Sequence, residues 1–270
     1  MRNEFKETSL QGPLEYKAGQ GCLYDGRLMA TKPDGRPPQR APLTRQRIAT
    51  AALGVIDRDG LNALTMKRLG IELGVEAMSL YFHYANKDEI LDAVVDLLFR
   101  ELALPEEAKE EGHDWAEVAR ELFLNIRRHL LDHLNAVMLV ASRSVHSVDA
   151  LAPTEMSLRN LRQAGFDEWE AIDGHRLLLS FTLGYVISEA KARGDPARHP
   201  EDWGIASYAL HALPTDQVPT LTELATVALA GHADEQFDRC LRGILTALTH
   251  RRDARLAEEE PTPASGAVPQ

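Results

Sequence analysis

Cysteine is scarce in this sequence of 270 residues, which holds only Cys22 and Cys240. Two thiols so far apart along the chain form neither a disulfide framework nor a zinc knuckle. Long apolar runs are missing as well, since the longest, Leu177–Ile187, spans 11 residues and includes Ser180 and Thr182. Such a run is too short to span a bilayer, and the N-terminus has no apolar core typical of a signal peptide. We therefore expect a cytoplasmic protein.

Positive charge is also in deficit, because the net charge is −11, which at first sight argues against a nucleic-acid partner. The charges are unevenly distributed, however. Residues 1–43 hold seven Lys or Arg against five Asp or Glu, and residues 44–100 hold seven against eight. Residues 101–270 hold 16 against 28. The C-terminal part therefore cannot be a DNA-contacting face, whereas the first hundred residues can.

Proline and glycine mark the ends of the folded part. Residues 1–43 combine Gly, Pro and scattered charge, and Pro33, Pro37 and Pro38 exclude a helix there. They predict a flexible N-terminal arm, and residues 253–270 predict a disordered tail. Between them, no stretch alternates apolar and polar residues for long enough to indicate a strand. The sequence therefore predicts an all-α fold.

Helix starts are signalled by four polar residues that are each followed, three positions later, by Glu, as in a capping box. These pairs are Asn86–Glu89, Asp114–Glu117, Asp167–Glu170 and Thr220–Glu223. The predicted helices are 45–58, 66–73, 77–83, 87–103, 115–133, 135–146, 154–164, 168–193, 221–231 and 233–251. The stretch 194–219 predicts a long loop.

Residues 44–87 match a helix-turn-helix, in which two short helices are joined by a tight turn at Gly74 and the second enters the major groove. The outward face of this second helix is uncharged, small and aromatic, unlike an ordinary solvent-facing surface. It comprises Ala77, Met78, Ser79, Tyr81, Phe82 and His83. Such side chains suit contacts with base edges and phosphates. Alternatively, Tyr81 and Phe82 pack against the following helix.

The run Leu64–Leu91 resembles the TetR family of repressors, above all in Leu80-Tyr81-x-His83 and Asn86-Lys87-x-x-Ile90-Leu91. The resemblance is strong over 44–104 and weaker to about 250. It implies a homodimeric transcriptional repressor, not an enzyme, that binds a palindromic operator and is released by a small-molecule inducer. The implied parts are a three-helix DNA-binding domain at 44–90 and a ligand-binding and dimerisation domain at 91–252. No cofactor is implied.

Two other functional classes stay open at this point. An enzyme on a helical scaffold would need a nucleophile elbow, a phosphate loop or a metal cluster, none of which the sequence contains. A ligand-sequestering protein with a vestigial DNA-binding module is the second alternative.

The resemblance also implies the DNA-contacting residues. They are Thr65 and Lys67 on the first helix of the motif, Ala77, Met78, Ser79, Tyr81, Phe82 and His83 on the second, and Lys87 as a phosphate ligand. The tetracycline repressor has glutamine and proline where this chain has Ala77 and Met78, so a different operator is implied. The helix at 87–103 is implied to connect the two domains and to move when ligand binds.

Helices 168–193 and 233–251 resemble the family's dimerising pair, which forms a four-helix bundle across a twofold axis. The first is apolar on nearly every side between Leu177 and Ile187, and the second carries an apolar stripe from Phe237 to Leu248. Packing within one chain is the alternative for about half of these residues.

For the ligand pocket, Leu122 and Ile126 stand where the tetracycline-repressor branch has a polar and an aromatic drug contact. The stretch 138–142 has no histidine, so a tetracycline–magnesium site is not expected. No His-Glu-x-x-His pattern or Cys cluster indicates another metal site. The candidate pocket residues are Leu122, Ile126, Met138, Arg143, Trp169, His175, Leu178, Phe181 and Tyr185. Their mixture predicts a large, mostly apolar ligand, although ordinary core is the favoured interpretation for any single one of them.

Two further features have competing interpretations. His129 and His133, four residues apart, could supply half of a metal site, but a solvated or intramolecularly bonded pair is favoured. Basic residues precede the first helix at Arg27, Lys32, Arg36 and Arg40. We hypothesise that this arm, Arg36 and Arg40 above all, reaches the minor groove or phosphates; an unbound extension is the alternative.

Overall fold

The computed structural model describes residues 23–24, 27–28, 42–106, 114–193, 216–217, 219–220, 223 and 233–259, which fall into two compact units, 1–42 and 43–270. In the first unit, β1 (Leu23–Tyr24) pairs antiparallel with β2 (Arg27–Leu28). No strand was expected, because two residues are too few to show an alternating pattern. The dipeptide between them, Asp25-Gly26, belongs to the sequences that favour two-residue hairpin turns.

Every described element of regular secondary structure in the second unit is helical, which confirms the all-α class. Its helices are α1 (Arg45–Asp59), α2 (Met66–Leu73), α3 (Ala77–Leu80), α4 (Lys87–Arg100), α5 (Trp115–Asp132), α6 (Val137–Ser142), α7 (Ala152–Gln163), α8 (Glu168–Arg193) and α9 (Ala233–Glu259). Short 3-10 turns occupy Leu61–Ala63, Leu134–Ala136 and Asp149–Leu151. The predicted loop 194–219 and helix 221–231 lie almost entirely outside the described residues. Within the described ranges, no helix is long and apolar enough to cross a membrane.

Capping side chains fix the helix starts where the sequence predicts them. The Asn86 side chain accepts a hydrogen bond from the Glu89 amide at 2.9 Å. Asp167 and Glu170 cap each other reciprocally, with amide-to-carboxylate distances of 2.8 and 3.0 Å. These bonds satisfy amide groups that have no partner inside the helix.

Several helix ends differ from the prediction. α3 ends at Leu80, not at 83, and bonds such as His83 N–H to Leu80 C=O, at 3.0 Å, carry the chain through a tighter turn. This turn buries Tyr84, whose hydroxyl donates to the Arg45 carbonyl at 3.0 Å. α4 ends at Arg100 rather than 103. Within the predicted helix 135–146, α6 forms only between Val137 and Ser142.

α9 continues to Glu259, although the sequence predicts a helix end at 251 and a disordered tail from 253. Two arginines anchor the added turns against the α7–α8 corner. Arg252 donates to the Ala164 carbonyl at 3.1 Å, and Arg255 pairs with Glu170 at 2.9 Å. Tertiary contacts thus extend the helix beyond the end of its apolar stripe.

One continuous apolar core runs from α1 through α4 and α5 to α8 and α9. Val94 and Val95, in the middle of α4, are completely buried within it. α4 also passes without a break through the predicted domain boundary at 90–91. It is therefore one continuous element shared by the N-terminal helices and the helices that follow.

Candidate DNA-reading head and ligand cavity

The α2–turn–α3 unit is held by a cap, a left-handed glycine and a close helix approach. Thr65 caps α2 by accepting from the Arg68 amide at 3.1 Å. Gly74 ends α2 with a φ of 67°, which favours glycine. Gly70 was not singled out from the sequence, yet a Cβ there would lie 2.9 Å from the Val75 carbonyl oxygen. A residue without a side chain is needed at Gly70 for α2 and α3 to pack this closely.

The outward surface that follows this turn is unusually apolar for a surface in contact with water. We call Ala77, Met78, Ser79, Tyr81 and Phe82 the α3 face. Met78 is 71% exposed and Phe82 is 90% exposed, whereas Leu80 is completely buried. The exposure of Phe82 contradicts the alternative in which it packs against the following helix. Exposed apolar groups clustered in this way mark an interaction surface.

We call the α2–turn–α3 unit, together with the α3 face, the head. The remaining residues predicted to contact DNA lie around it. Thr65 and Lys67 are exposed at the start of α2, His83 is half-buried, and Lys87 is the first residue of α4. Arg36 and Arg40 lie outside the described residues.

Salt bridges decide which nearby cations are available to a partner. Arg58 pairs with Glu72 at 2.9 Å, and Arg68 pairs with Asp59 at 3.0 Å. Lys67 and Lys87, by contrast, make no ion pair within the described residues. Lys67 and Lys87, at the starts of α2 and α4, are therefore among the cations that a partner could contact.

Behind the head, the segment 143–146 is bonded to α4 at three aspartates spaced four residues apart. We call Asp88, Asp92 and Asp96 the acidic stripe. Arg143 pairs with Asp88 and with Asp92, each at 2.6 Å, and the His146 amide donates to Asp96 at 2.7 Å. These bonds, that to Asp92 first, raise the pKa of the Arg143 guanidinium. The sequence shows the spacing of the stripe but does not identify its partners.

The other side of the same segment lines a cavity of about 280 Å³ between α4, α5, α7 and α8. Most of its wall is apolar, with Phe99, Leu122 and Phe123 among the lining side chains. Pockets that hold small molecules in proteins typically enclose ~300–1,000 Å³. A cavity of this size and character suits a compact, largely apolar ligand.

Four of the predicted pocket residues meet at this cavity: Leu122, Ile126, Arg143 and His175. The other five are not among the described residues that line this cavity. Met138 and Trp169 are 56% and 76% exposed, and Leu178 is completely buried in the core. Phe181 and Tyr185 pack around Phe237, with ring centroids 5.2 and 5.1 Å from it.

The register of α8 explains this division. His175, Leu179 and Leu183, spaced by four, turn one face of the helix toward the cavity. Leu178, Phe181 and Tyr185 fall on other faces. Ser144, Val145 and Thr154 also line the cavity, but they come from a loop and a helix start, where no periodic pattern could have identified them.

His175 provides a neutral polar group at the cavity wall. Its Nδ1 lies 3.0 Å from the Ser157 hydroxyl oxygen. Burial lowers the pKa of the imidazole below its ordinary value, and the positive charge of Arg176 adds to this effect. The ring is therefore uncharged at neutral pH.

The histidine pair His129–His133 lies where α5 meets α1. His133 Nδ1 lies 2.8 Å from Asp57 Oδ2, which links the end of α5 to α1. The hydrogen bond to Asp57 raises the pKa of His133, whereas burial and the nearby His133 lower that of His129. No three His, Cys, Asp or Glu side chains of the described ranges converge as metal ligands.

A buried ion pair, not foreseen from the sequence, connects α5 to α8. Arg127 donates through Nε and Nη2 to the two carboxylate oxygens of Glu189 at 3.0 and 2.9 Å. Both side chains are only 5% exposed.

Within the described residues, part of the surface of α8 and α9 is not covered by other helices. On α8, Leu178, Thr182 and Val186 are buried, whereas Leu177 is 47% exposed. Among the described residues, added side-chain atoms at Gly184 on α8 or Gly243 on α9 would meet nothing within 4 Å. The described part of the chain thus leaves the predicted burial of α8 on every side incomplete.

A helix-turn-helix head joined through one helix to a cavity-bearing helical domain defines a DNA-binding regulator. The family model of bacterial regulatory proteins of the tetR family matches residues 48–94, and that of the tetracyclin repressor-like C-terminal domain matches 107–252. The chain belongs to the TetR family of transcriptional regulators, with a helix-turn-helix DNA-binding domain and a ligand-binding domain.

Individual relatives agree with this assignment. A helix-turn-helix transcriptional regulator of Saccharopolyspora erythraea is 32% identical over 159 residues, which cover 59% of this chain and 66% of that protein. The class C tetracycline repressor of Escherichia coli is 25% identical over 210 residues, covering 78% and 92%. The apo structure of ActR from Streptomyces coelicolor superposes with a TM-score of 0.67 at 31% identity, covering 80% of this chain and 99% of ActR. ActR in complex with actinorhodin gives 0.65 at 32% identity, covering 78% and 99%.

Proposed function

We propose that this protein is a homodimeric repressor that binds a palindromic operator in the cytoplasm and is released from it by a small-molecule inducer. The observation that carries the proposal is the position of segment 143–146. This segment lines the cavity on one side and is bonded to the acidic stripe of α4 on the other. Ligand in the cavity therefore touches the same segment that holds the helix leading to the DNA-reading head.

DNA binding is assigned to the α3 face and the residues around it. Ala77, Met78 and Ser79 would face base edges, where small and apolar groups can approach thymine methyls. Tyr81, Phe82 and His83 would lie along the groove wall. Lys87 would bind a phosphate, because it stands at the N-terminus of α4, where the helix dipole also attracts negative charge.

Further DNA contacts are assigned to Thr65 and Lys67, which are exposed at the start of α2, and to the arm residues Arg36 and Arg40. The arm would supply positive charge that the head itself lacks.

Dimerisation is assigned to the uncovered side of α8 and α9. Exposed apolar groups such as Leu177 would be buried there, and Gly184 and Gly243 would let helices of two chains approach closely. A twofold dimer presents two α3 helices, which read half-sites one helical turn apart, about 34–36 Å. This geometry accounts for a palindromic operator.

Release would follow from displacement of α4. A ligand that pushes on segment 143–146 shifts the acidic stripe and changes the spacing of the two α3 helices. Ligand and operator then each weaken the binding of the other, as reciprocal linkage requires. ActR, the relative from Streptomyces coelicolor, binds actinorhodin in its solved complex; for this chain we propose a mostly apolar ligand.

Selection from random duplex DNA, followed by fluorescence anisotropy with the selected operator, tests the proposal. We expect the Tyr81→Ala/Lys87→Ala double variant to bind roughly 10- to 100-fold more weakly, with the dimer retained by light scattering. Arg159→Ala, an exposed change on α7 far along the chain from the head, is the matched control. Unchanged operator affinity of the double variant would contradict the assignment of DNA binding to this surface.

A further inference from the structure

Ser157 and His175 form a hydrogen bond whose direction is set by the surroundings of the hydroxyl group. The Ser157 hydroxyl oxygen, on α7, lies 3.0 Å from Nδ1 of His175, on α8, and Ser157 is only 3% exposed. Two other hydroxyl groups on helices, those of Ser142 and Thr182, donate to the carbonyl four residues earlier. Ser157 makes no such bond, so within the described residues Nδ1 is the one acceptor for its hydroxyl hydrogen.

This arrangement determines the tautomer of His175. If Nδ1 carried the hydrogen, it would donate to Ser157, and the buried hydroxyl hydrogen would be left without an acceptor, which costs free energy. Ser157 therefore donates to Nδ1. Burial holds the pKa of the imidazole below its ordinary value, so the neutral ring carries a single hydrogen. That hydrogen lies on Nε2, which makes Nε2 a donor.

Nε2 of His175 is accessible from the cavity. It has no hydrogen-bond partner among the described residues, yet it is not one of their buried atoms without a partner. Those atoms are Asp57 Oδ1, His129 Nε2 and Ser147 Oγ. The space that His175 lines is the cavity of about 280 Å³. The cavity wall therefore offers an N–H donor whose ring is held in place from behind by Ser157.

The rest of the cavity wall decides what this donor can bind. Most of the lining side chains are apolar, and no carboxylate of the described residues lines the cavity. A ligand that covered Nε2 without offering an acceptor would leave the N–H group unpaired, and sites with such groups reject ligands of this kind. A carbonyl oxygen is the neutral acceptor that suits an N–H donor.

We propose that the inducer is a mostly apolar molecule whose carbonyl oxygen accepts a hydrogen bond from Nε2–H of His175. This inference deepens the proposed function and rests on it.

Three probes of similar size test the inference on the full-length protein. Benzophenone offers a carbonyl acceptor, diphenylmethane offers no polar group, and diphenylamine offers an N–H donor. Equilibrium dialysis measures their dissociation constants. Because diphenylmethane leaves Nε2–H unpaired, we expect benzophenone to bind roughly 5- to 50-fold more tightly. Diphenylamine should bind no more tightly than diphenylmethane, because its donor would meet another donor.

Two variants locate the preference for benzophenone. The double variant His175→Phe/Ser157→Ala removes both members of the buried bond, so that neither group is left unpaired, and it should lose the preference. Thr154→Val removes a hydroxyl group from the same cavity wall; it is the matched control and should keep the preference. Nitrogen-15 NMR of the histidine-labelled wild type reads the tautomer without depending on any variant's stability. We expect the His175 hydrogen on Nε2.

The outcomes separate this inference from the proposed function. Benzophenone that binds no more tightly than diphenylmethane, including the case in which neither binds, would overturn the inference. A hydrogen on Nδ1, tighter binding of diphenylamine than of benzophenone, or a preference that the double variant keeps would also overturn it. Operator affinity is measured in the same samples. Benzophenone that binds through His175 yet leaves operator affinity unchanged supports the hydrogen bond and contradicts the proposed release.

Discussion

Replacing Gly70 by Ala would test whether the close approach of α2 to α3 positions the DNA-reading head. The added Cβ would lie 2.9 Å from the Val75 carbonyl oxygen and 3.2 Å from the Ala77 amide nitrogen. Both atoms belong to the backbone, so they can give way only if the turn and α3 move. Overpacking of this kind typically costs about 1–3 kcal/mol, whereas exchanging Gly for Ala within a helix gains up to about 1 kcal/mol.

Gly54 in α1 offers a matched control, because a Cβ there meets only the end of the Arg58 side chain at 3.5 Å. Gly54→Ala gains the same helix propensity without the clash, so the difference between the two variants isolates the steric cost. We expect Gly54→Ala to raise the free energy of unfolding by about 0.5–1 kcal/mol. Gly70→Ala should lie about 1–3 kcal/mol below Gly54→Ala.

Urea denaturation followed by circular dichroism measures the stability difference, and anisotropy with the selected operator measures DNA affinity. Gly70→Ala should also weaken operator binding, because α3 moves relative to α2, whereas Gly54→Ala should not. Equal stability and equal affinity of the two variants would refute the packing argument.

Three further predictions concern other parts of the chain. Glu189→Gln removes one of the two carboxylates that pair with the buried Arg127, which keeps its Nη1 bond to Asp234 at 2.7 Å, and we expect it to lower stability by about 1–3 kcal/mol in urea denaturation; an unchanged stability would contradict this. The raised pKa of His133 means that its bond to Asp57 stabilises the fold fully below the unfolded value of about 6.5. That contribution disappears as pH rises through the folded pKa of His133. The thermal unfolding temperature of Asp57→Asn should therefore lack this pH dependence; the same pH dependence in the variant and the wild type would refute it. Deleting residues 1–41 should flatten the salt dependence of operator binding, since each lost phosphate contact removes ~0.9 from the slope; an unchanged slope would contradict the arm hypothesis.

Helix starts and apolar faces could be predicted from the sequence because their signals are local. Asn86 and Asp167 cap the helices that follow them, and Leu80 turns inward as its position in the pattern requires. Contacts between distant segments gave no such signal. Tyr84 shortens α3 by packing on Arg45, and Arg255 prolongs α9 by reaching Glu170.

The candidate site was predictable in the same uneven way. The α3 face follows from the helix-turn-helix pattern, in which exposed and buried positions are fixed by one helical period. The cavity is built from several helices, and which face of α8 lines it depends on its packing angle. Residues such as His175 and Phe181 therefore look equally suitable in the sequence, although only His175 reaches the cavity.

In the proposed function, two copies of this chain read one palindromic operator. Light scattering of the complex with the selected full operator, combined with anisotropy on a duplex that holds a single half-site, tests it most directly. We expect two chains per full operator and much weaker binding to the isolated half-site, because a half-site engages only one head. One chain per duplex, with equal affinity for the full and half sites, would contradict it.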